Sequence, residues 1–291
     1  MVGHRRGRDG QLGSMIRIRL AGGLLRHASV LVVVVSLSVT TGCGTLASGR
    51  RWGQDAFSHV NLKTVTHAAQ DAFFDLQTLL PAAGAIIFAA GGLDQEVSDW
   101  ATDHTPLFGS QETAREVSDY FQATLRVEAF ATLIATPSGN ETKPWLYAKV
   151  KGFGVEGLAM GVTAGVTQGL KRLTDRTRPD RTDDLSFPSD HASGSFTAAT
   201  LANRNLASIN LTPWVKYPLH LSNILLASGS AWARVEGGKH FPSDVLAGAA
   251  LGHFLSAFIH DAFIGIPKAD RSQLVIMPSK GGVMAYLHVP F

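Results

Sequence analysis

Apolar residues recur three and four positions apart along most of the chain, which is the spacing of a helix with a buried face. The pattern predicts five helices with defined ends: Phe73 to Ala90, Asp94 to about Asp103, Gln111 to Thr136, Trp214 to Ala233 and Pro242 to Phe263. Pro81 is expected to kink or break the first of them. Two more helices are expected in the glycine-rich stretch 152–170 and in the small-residue run 192–201. The predicted fold class is therefore all-α, a compact helical bundle.

The pattern changes near the C-terminus. Leu274 to Met277 and Val283 to Val289 flank a turn-forming Pro-Ser-Lys-Gly-Gly sequence, which predicts a small β-hairpin. An ordered extended tail is the alternative. Because an isolated hairpin is only marginally stable, we expect this segment to pack on the bundle or on a partner.

A glycine stands at every fourth position of one predicted helix. Such a stripe would let another helix approach closely, which has to compensate for the poor helix propensity of each glycine. A membrane-spanning helix is the alternative, because Glu156 is the only charged residue between positions 152 and 170. The glycines are Gly157, Gly161, Gly165 and Gly169.

The N-terminal residues have the features of a bacterial secretory leader. Basic residues precede an apolar run from Val30 to Val39, and small residues lead up to Cys43. The run is too short for a membrane anchor, which needs about 20 apolar residues. Gly42-Cys43 resembles a lipobox, so acylation of Cys43 is predicted, and Gly44 after it favours the outer membrane, facing the periplasm. Plain cleavage, with a buried free thiol, is the alternative.

Charge and cysteine content narrow the remaining possibilities. Residues 1–42 hold six of the 26 Lys and Arg residues and one of the 23 Asp and Glu residues, which leaves 20 basic and 22 acidic side chains beyond them. Nucleic-acid binding, which needs a basic face, is therefore not indicated. Cys43 is the only cysteine, so an intramolecular disulfide is excluded.

We expect a signal peptide (1–42), a tether (43–60), one helical domain (61–266) and the hairpin or tail (267–291).

Candidate chemistry lies between residues 171 and 244, in three blocks. Lys171 and Arg178 are seven residues apart, which is two helical turns and nearly one face. Pro179 disfavours helix at Arg178 and should end the element there. Two cations near one helix end suit a phosphate group, although a solvated basic turn is the alternative. Arg172, Arg176 and Arg181 lie alongside.

In the second block, Ser189 precedes the small-residue run and is predicted to cap its helix. The N-terminus of a helix presents unpaired N–H groups to an anion. His191 could protonate a leaving alkoxide, since the ordinary pKa of histidine is about 6.5. An ordinary capped helix with a nearby histidine is the alternative.

In the third block, His240 and Asp244 are one helical turn apart, with Pro242 placed to open a helix. The carboxylate could accept from one imidazole nitrogen and leave the other nitrogen as a nucleophile. Arg234 could bind two phosphate oxygens at once. A surface His–Asp capping contact is the alternative.

Taken together, the three ordered blocks resemble the signature of the type 2 phosphatidic acid phosphatase superfamily. That superfamily includes class A acid phosphatases, polyprenyl diphosphate phosphatases and vanadium haloperoxidases. The resemblance implies their helical fold, a mechanism without metal or other cofactor, and a phosphohistidine intermediate. It implies His240 as the nucleophile, Asp244 as its orienting partner and His191 as the general acid. It implies phosphate binding by Lys171, Arg178, Ser189 and Arg234.

The chain departs from this signature at two positions. Asp190 stands where glycine is usual, and a carboxylate beside an anion pocket should be repulsive. The Ser-Asp-His sequence at this position resembles that of polyprenyl diphosphate phosphatases, so Asp190 is interpreted as modulating the substrate class. Ala233 replaces a serine, which removes one hydroxyl and should have a small effect.

The resulting prediction is a lipid-anchored phosphatase that hydrolyses phosphomonoesters or diphosphates, with a phosphorylated lipid or a small phosphomonoester as substrate. A vanadate-dependent haloperoxidase and a non-catalytic envelope lipoprotein that binds anions or lipid headgroups are the alternatives. Hydrolase elbow, zinc-protease and phosphate-loop motifs are absent from the sequence. His220, His253 and His260 lie in apolar helices and are interpreted as core or interface residues, so no metal site is expected.

Overall fold

The computed structural model describes residues 42–58, 60–264, 273–279 and 282–288. Within these residues the chain forms eight helices and one pair of strands, which confirms the predicted all-α fold class. The leader was predicted at residues 1–42, of which residues 1–41 lie outside the described residues. The elements are α1 (Leu62–Phe74), α2 (Leu76–Ala90), α3 (Leu93–His104), α4 (Gln111–Ala135), α5 (Thr142–Thr174), α6 (Asp190–Ser208), α7 (Pro213–Glu236), α8 (Pro242–Ile264), β1 (Gln273–Ser279) and β2 (Gly282–His288).

The first two helices are divided at a different residue from the one expected. The structure breaks the chain at Asp75, whose carboxylate accepts a hydrogen bond from the Gln77 N–H at 3.0 Å and so caps α2. Pro81 lies inside α2 without ending it. A capping carboxylate satisfies helix N–H groups, whereas Pro81 lies in the second turn, where little of the preceding helix remains to be disrupted.

Helix α8 is the centre of the bundle. It is apolar around its whole circumference, as expected of a helix surrounded by others, and α1, α2, α5, α6 and α7 pack around it. Many of the buried residues in the core are alanines, with larger side chains such as Leu125, Leu201 and Ile259 between them. Small side chains allow the helix axes to approach closely.

Two glycines bring α8 directly onto the N-terminal turn of α6. A Cβ atom added at Gly248 would lie 2.7 Å from the Ser189 carbonyl oxygen, and one at Gly252 would lie 2.2 Å from the Ser193 carbonyl oxygen. The Ser189 N–H also donates to the Asp244 carbonyl oxygen at 3.0 Å. The backbones of the second and third sequence blocks are therefore in direct contact.

The glycine stripe of α5 has the opposite environment. A Cβ atom added at Gly157, Gly161, Gly165 or Gly169 would meet nothing within 4 Å, so the expected close helix contact is wrong. The buried face of α5 consists of residues offset by two positions, including Val155, Ala159, Thr163, Thr167 and Lys171. Two residues correspond to about 200° around a helix, which places the glycines on the outer face.

The stretch expected to be a tether packs against the body instead. Trp52 is fully buried, and its backbone N–H donates to the Pro137 carbonyl oxygen at 2.8 Å. The Ser138 N–H donates to the Gly42 carbonyl oxygen at 3.2 Å. The Lys149 ammonium group lies 5.2 Å from the Trp52 ring centroid, within the range of a cation–π contact. Residues 42–58 thus cover the ends of α4 and α5.

The C-terminal strands β1 and β2 pair antiparallel. Leu274 lies opposite Leu287 and Met277 lies opposite Met284. This is the hairpin arrangement that the alternating sequence predicts.

Of the residues that the structure describes, α8 is the one helix long and apolar enough to cross a membrane. A buried core helix has the same length and composition, and 61% of the apolar stretch of α8 is buried inside the bundle. Helices α2 and α3 would count as a second span only if taken together, although they are bent by 98°.

The contact at Gly252 can be tested against the open glycine stripe. The substitution Gly252→Ala should lower the free energy of unfolding by about 1–3 kcal/mol, because its methyl group overlaps the Ser193 carbonyl oxygen. The control Gly161→Ala removes a glycine from the open face and should raise that free energy by up to about 1 kcal/mol. Urea unfolding measures both values. Equal effects of the two substitutions would contradict the packing described above.

Candidate active site

The three blocks meet at one end of the bundle. Lys171 ends α5, Ser189 and His191 begin α6, and Arg234 lies in the last turn of α7. Arg178 and His240 come from the two loops that follow α5 and α7, and the first turn of α8 supplies Asp244. The structure thus brings all seven predicted site residues to the same end of the molecule.

The orientation of the His240 ring fixes its tautomer. Nδ1 lies 2.7 Å from the Ser186 carbonyl oxygen, and Nε2 lies 3.0 Å from the NH1 atom of Arg178. A carbonyl can only accept and a guanidinium can only donate. Nδ1 therefore carries the proton, and the Nε2 lone pair points toward the cationic side of the site.

His240 is also kept neutral. Its side chain is almost completely buried, and burial lowers the pKa of His240 to about 4, against the opposing effect of the Asp244 carboxylate. The neutral imidazole therefore predominates at neutral pH. A neutral ring with a free Nε2 lone pair has the form required of a nucleophile.

Asp244 orients His240 less directly than expected. Its Oδ2 atom lies 3.8 Å from His240 Nδ1, beyond hydrogen-bonding distance, and it accepts instead from the Ser186 hydroxyl at 2.5 Å and from the Phe241 N–H at 2.8 Å. Asp244 thus positions Ser186 through a hydrogen bond, and the Ser186 carbonyl oxygen in turn accepts from His240 Nδ1. Burial alone would raise the pKa of Asp244, but His240 and the Arg176 cation outweigh that effect and lower it.

Arg176 is a structural member of the site, although the sequence indicated it only as a neighbour of Arg178 that would fit the alternative of a solvated basic turn. It donates to Asp244 Oδ1 at 2.6 Å and to Asp94 Oδ2 at 2.8 Å. Asp94 is the second residue of α3, and its carboxylate accepts from the Ser243 N–H at 2.9 Å. Two carboxylates separated by 150 residues share one arginine, and nothing in the local sequence of Arg176 indicates this.

Two of the phosphate-binding candidates are cations with fixed positions. Lys171 is buried, its ammonium group donates to the Leu185 carbonyl oxygen at 2.5 Å, and burial lowers its pKa. Arg178 donates to Asp183 Oδ1 at 2.6 Å and to the Lys239 carbonyl oxygen at 3.0 Å. These contacts hold both groups beside His240.

Arg234 differs from the other two cations. Among the residues that the structure describes, no hydrogen-bond acceptor or carboxylate binds its guanidinium group, and its Nε atom is buried. Burial lowers the pKa of Arg234 to about 10, so the group remains charged at neutral pH. A partly buried cation of this kind favours an anionic ligand.

Ser189 caps α6 as predicted. Its hydroxyl accepts from the Ala192 N–H at 3.4 Å, and the residue is fully buried between α6 and α8. This contact occupies one helix N–H and leaves others at the terminus for an anion.

His191 is paired with a residue that sequence reasoning missed. Its Nε2 atom lies 2.6 Å from Asp119 Oδ1 on α4. Burial and the Arg234 cation lower the pKa of His191, whereas Asp119 opposes this shift. Asp119 is 72 residues from His191 in the sequence, so no local pattern indicates the pair.

Asp190, which replaces the usual glycine, lies beside the cationic cluster. One carboxylate oxygen is 3.4 Å from the Lys171 ammonium nitrogen, and the other accepts from the Gln168 amide at 3.1 Å. The ion pair with Lys171 offsets part of the repulsion that a phosphate would experience from this carboxylate.

Comparison with known proteins identifies the family. Residues 155–264, which include all three blocks, match the model of the PAP2 superfamily. The decaprenylphosphoryl-5-phosphoribose phosphatase of Mycobacterium tuberculosis (strain H37Rv) is 31% identical over 172 residues, which cover 56% of this chain and 86% of the relative. The chain belongs to the PAP2 superfamily. The same relative from strain CDC 1551 / Oshkosh matches over the same length.

Two further similarities of this PAP2 superfamily member are found. The lipid A 1-phosphatase of Porphyromonas gingivalis (strain ATCC 33277) is 33% identical over 97 residues, or 33% of this chain and 20% of that protein. The crystal structure of the transmembrane PAP2-type phosphatidylglycerolphosphate phosphatase from Bacillus subtilis is similar with a TM-score of 0.46 and 19% identity, covering 68% of this chain and 94% of that one. The curated relatives are named as phosphatases, which supports a phosphoric ester hydrolase.

The buried state of His240 in this PAP2 superfamily member predicts a pH dependence of stability. Between pH 6.5 and about 4 the unfolded chain binds a proton on His240 that the folded protein does not, so the free energy of unfolding falls as the pH falls through this range. From pH 7 to pH 4 the wild type should lose up to about 3 kcal/mol more than the His240→Gln variant.

Urea unfolding at four pH values between 4 and 7 provides the measurement. The variant His67→Gln, which changes an exposed histidine of α1, serves as the control and should follow the wild type. Parallel curves for the wild type and His240→Gln would contradict the buried neutral state.

Proposed function

We propose that the protein is a metal-independent phosphatase that hydrolyses phosphomonoesters or diphosphates through a phosphohistidine intermediate. The observation that carries this proposal is the state of His240, which is neutral, protonated on Nδ1 and directed through Nε2 at a group of cations. Membership of a superfamily whose named relatives are phosphatases supports the reaction class.

In the first step, His240 Nε2 attacks phosphorus. A P–N bond forms, the P–O bond to the alcohol or phosphate leaving group breaks, and the leaving oxygen takes the electron pair of that bond. A proton from His191 neutralises this oxygen. In the free protein Arg178 donates to Nε2, so the incoming phosphate oxygens must take over this guanidinium before the lone pair can react.

In the second step, water attacks the phosphorus of phospho-His240. The P–N bond breaks, its electron pair returns to Nε2, and His191, now neutral, accepts a proton from the water. Inorganic phosphate leaves and the original protonation states are restored. General acid–base catalysis by one histidine in both steps follows from microscopic reversibility.

The surrounding charge favours the transition state. Phosphoryl transfer spreads negative charge over the three equatorial oxygens, and fixed cations stabilise that charge more effectively in a buried site than in water. Lys171, Arg178 and Arg234 supply the cations, and the N-terminus of α6 at Ser189 supplies N–H groups. Arg234 is the cation whose guanidinium group is most available, given its lack of acceptors among the described residues.

Asp119 determines which nitrogen of His191 can act. Because Nε2 is engaged by the Asp119 carboxylate, the proton for the leaving group has to come from Nδ1. Asp119 also supports the protonated imidazole, which burial would otherwise disfavour. We therefore propose Asp119 as a positioning residue for the general acid.

We propose a lipid-linked phosphate as the substrate and a periplasmic location on the outer membrane. The curated relatives are named for a decaprenyl-linked phosphoribose and for lipid A. Large apolar side chains are exposed on several helices, among them Leu62, Leu173 and Trp214, as expected of a protein that associates with membranes. Cys43 is exposed and accessible to acylation.

Trapping of the intermediate tests the nucleophile. With a ³²P-labelled phosphomonoester in the presence of EDTA, the wild type should give a labelled protein whose label is lost in acid and kept in alkali, as a P–N bond requires. His240→Ala should give no label and should lower kcat at least about 10³-fold, because the covalent route is closed. His67→Ala is the matched control and should label normally. A label on His240→Ala, or activity that chelation abolishes, would contradict the proposal.

A comparison of leaving groups tests His191. Substitution to Ala should lower kcat/KM about 10²-fold or more for an alkyl phosphate, whose alkoxide needs a proton. The loss for p-nitrophenyl phosphate should be under tenfold, since nitrophenolate leaves without protonation. Asp119→Asn should show the same selectivity to a smaller degree. Equal losses on both substrates would assign His191 to binding instead of proton transfer.

A further inference from the structure

A second cavity adjoins the phosphate site. It has a volume of about 330 Å³ and lies between α4, α5 and α6, with Asp190 in its wall. The Asp190 carboxylate contacts Lys171 on one side and the Gln168 amide, also in the cavity wall, on the other. Asp190 is therefore the boundary between the proposed phosphate site and the cavity. None of the steps proposed above uses this space.

The wall of the cavity reaches Asp190, one residue before the proposed general acid. His191 follows Asp190 directly, and Gln122 on α4 donates to the carbonyl oxygens of both residues, at 3.3 and 3.5 Å. The alcohol whose oxygen receives the proton of His191 would thus extend past Asp190.

The lining of the cavity combines apolar residues with a carboxylate, an amide and three hydroxyls, from Asp190, Gln168, Ser193, Thr163 and Thr197. The Ser193 and Thr197 hydroxyls donate to the carbonyl oxygens of Asp190 and Gly252. The Thr163 hydroxyl is buried and has no partner among the described residues. A hydroxyl group of a ligand would pair the Thr163 hydroxyl, which a hydrocarbon chain would leave unpaired.

The opposite wall carries a cation. Arg126 of α4 lines the cavity, and its NH2 atom would lie 3.6 Å from a Cβ atom added at Gly194. No ion pair or hydrogen bond of this guanidinium is found within the part of the chain that the structure describes, whereas the Asp190 charge is paired with Lys171. The net unpaired charge in the cavity is therefore positive, which favours an anionic group.

The spacing of these groups sets the size of the ligand. Asp119, Gln122 and Arg126 lie on one face of α4, and seven residues from the first to the last correspond to about 10 Å along the helix. This distance matches a chain of five or six hydroxylated carbons between two phosphates.

From these contacts we infer that the cavity is a leaving-group subsite for a polyhydroxylated alcohol that carries a second anionic group. Asp190, Gln168 and Thr163 bind the hydroxyl groups of this alcohol, and Arg126 binds the second anion. The inference rests on the proposed phosphatase function and specifies the substrate class of that same site. A sugar whose far end carries a phosphate or a phosphodiester belongs to this class.

Three six-carbon substrates separate the two contributions: hexyl phosphate, D-mannitol 1-phosphate and D-mannitol 1,6-bisphosphate. The two phosphates of the bisphosphate are equivalent by symmetry, so release of either gives the same product. In the wild type, kcat/KM should rise about tenfold from hexyl phosphate to mannitol 1-phosphate, which is the effect of one or two additional hydrogen bonds. It should rise again for the bisphosphate, after allowance for its two equivalent sites.

Substitutions in the cavity should act selectively. Arg126→Gln should lower kcat/KM about tenfold for the bisphosphate and less than twofold for the other two substrates. Thr163→Val, which preserves side-chain volume, should lower it severalfold for both mannitol phosphates and leave hexyl phosphate unchanged. Lys63→Gln, which removes an exposed cation from α1, is the control and should leave all three values unchanged.

The outcomes distinguish the two proposals. If p-nitrophenyl phosphate is hydrolysed but hexyl phosphate equals or exceeds the mannitol phosphates, the subsite is overturned and the phosphatase stands. Equal effects of Arg126→Gln on all three substrates would show that Arg126 acts only through the electrostatic potential at the reacting phosphate. That result would also overturn the subsite. If no phosphate ester is hydrolysed, both proposals fail.

Discussion

The Asp244 carboxylate is the interaction on which the site depends. It is fully buried and accepts from the Ser186 hydroxyl, the Phe241 N–H and the Arg176 guanidinium. The backbone carbonyl oxygen of the same residue accepts from the Ser189 N–H. One residue therefore joins the loop after α5, the loop before α8 and the start of α6. A buried carboxylate is stable only when hydrogen-bonded and paired, so these three segments have to be assembled together.

This arrangement requires backbones that approach unusually closely, and the small-residue core provides that approach. Alanines in α6 and glycines in α8 keep the two helices in near contact at their catalytic ends. Larger apolar residues are consequently displaced toward the outer faces of the bundle, where many are exposed. The same choice of residues thus produces a rigid site and an apolar surface.

The sequence was sufficient to predict the helical class, which follows from periodicity. It also predicted the convergence of the three blocks, through their resemblance to the superfamily signature. It could not indicate the partners of those residues. Ser186 holds His240 across 54 positions, and Asp119 holds His191 across 72, through contacts that only the tertiary fold creates. The prediction that the glycine stripe of α5 contacts another helix was wrong for a related reason. Four-residue spacing shows that glycines share a face, but which face is buried depends on the residues offset by half a turn.

The docked N-terminal segment has a geometric consequence for access to substrate. The Gly44 N–H donates to Asn140 Oδ1 at 2.7 Å, and the Gly44 carbonyl oxygen accepts from the Gly139 N–H at 2.7 Å. These contacts hold Cys43 near the beginning of α5 at Thr142, whereas Lys171 lies in the last turn of that helix. The helix from Thr142 to Lys171 spans about 40 Å. An acyl chain on Cys43 would therefore place the end of the bundle opposite the proposed phosphate site against the membrane. The phosphate site would then face away from the membrane that holds the anchor. Molecules dissolved in the surrounding compartment, or headgroups projecting from an opposing bilayer, would then reach His240 more readily than lipids of the membrane that holds the protein.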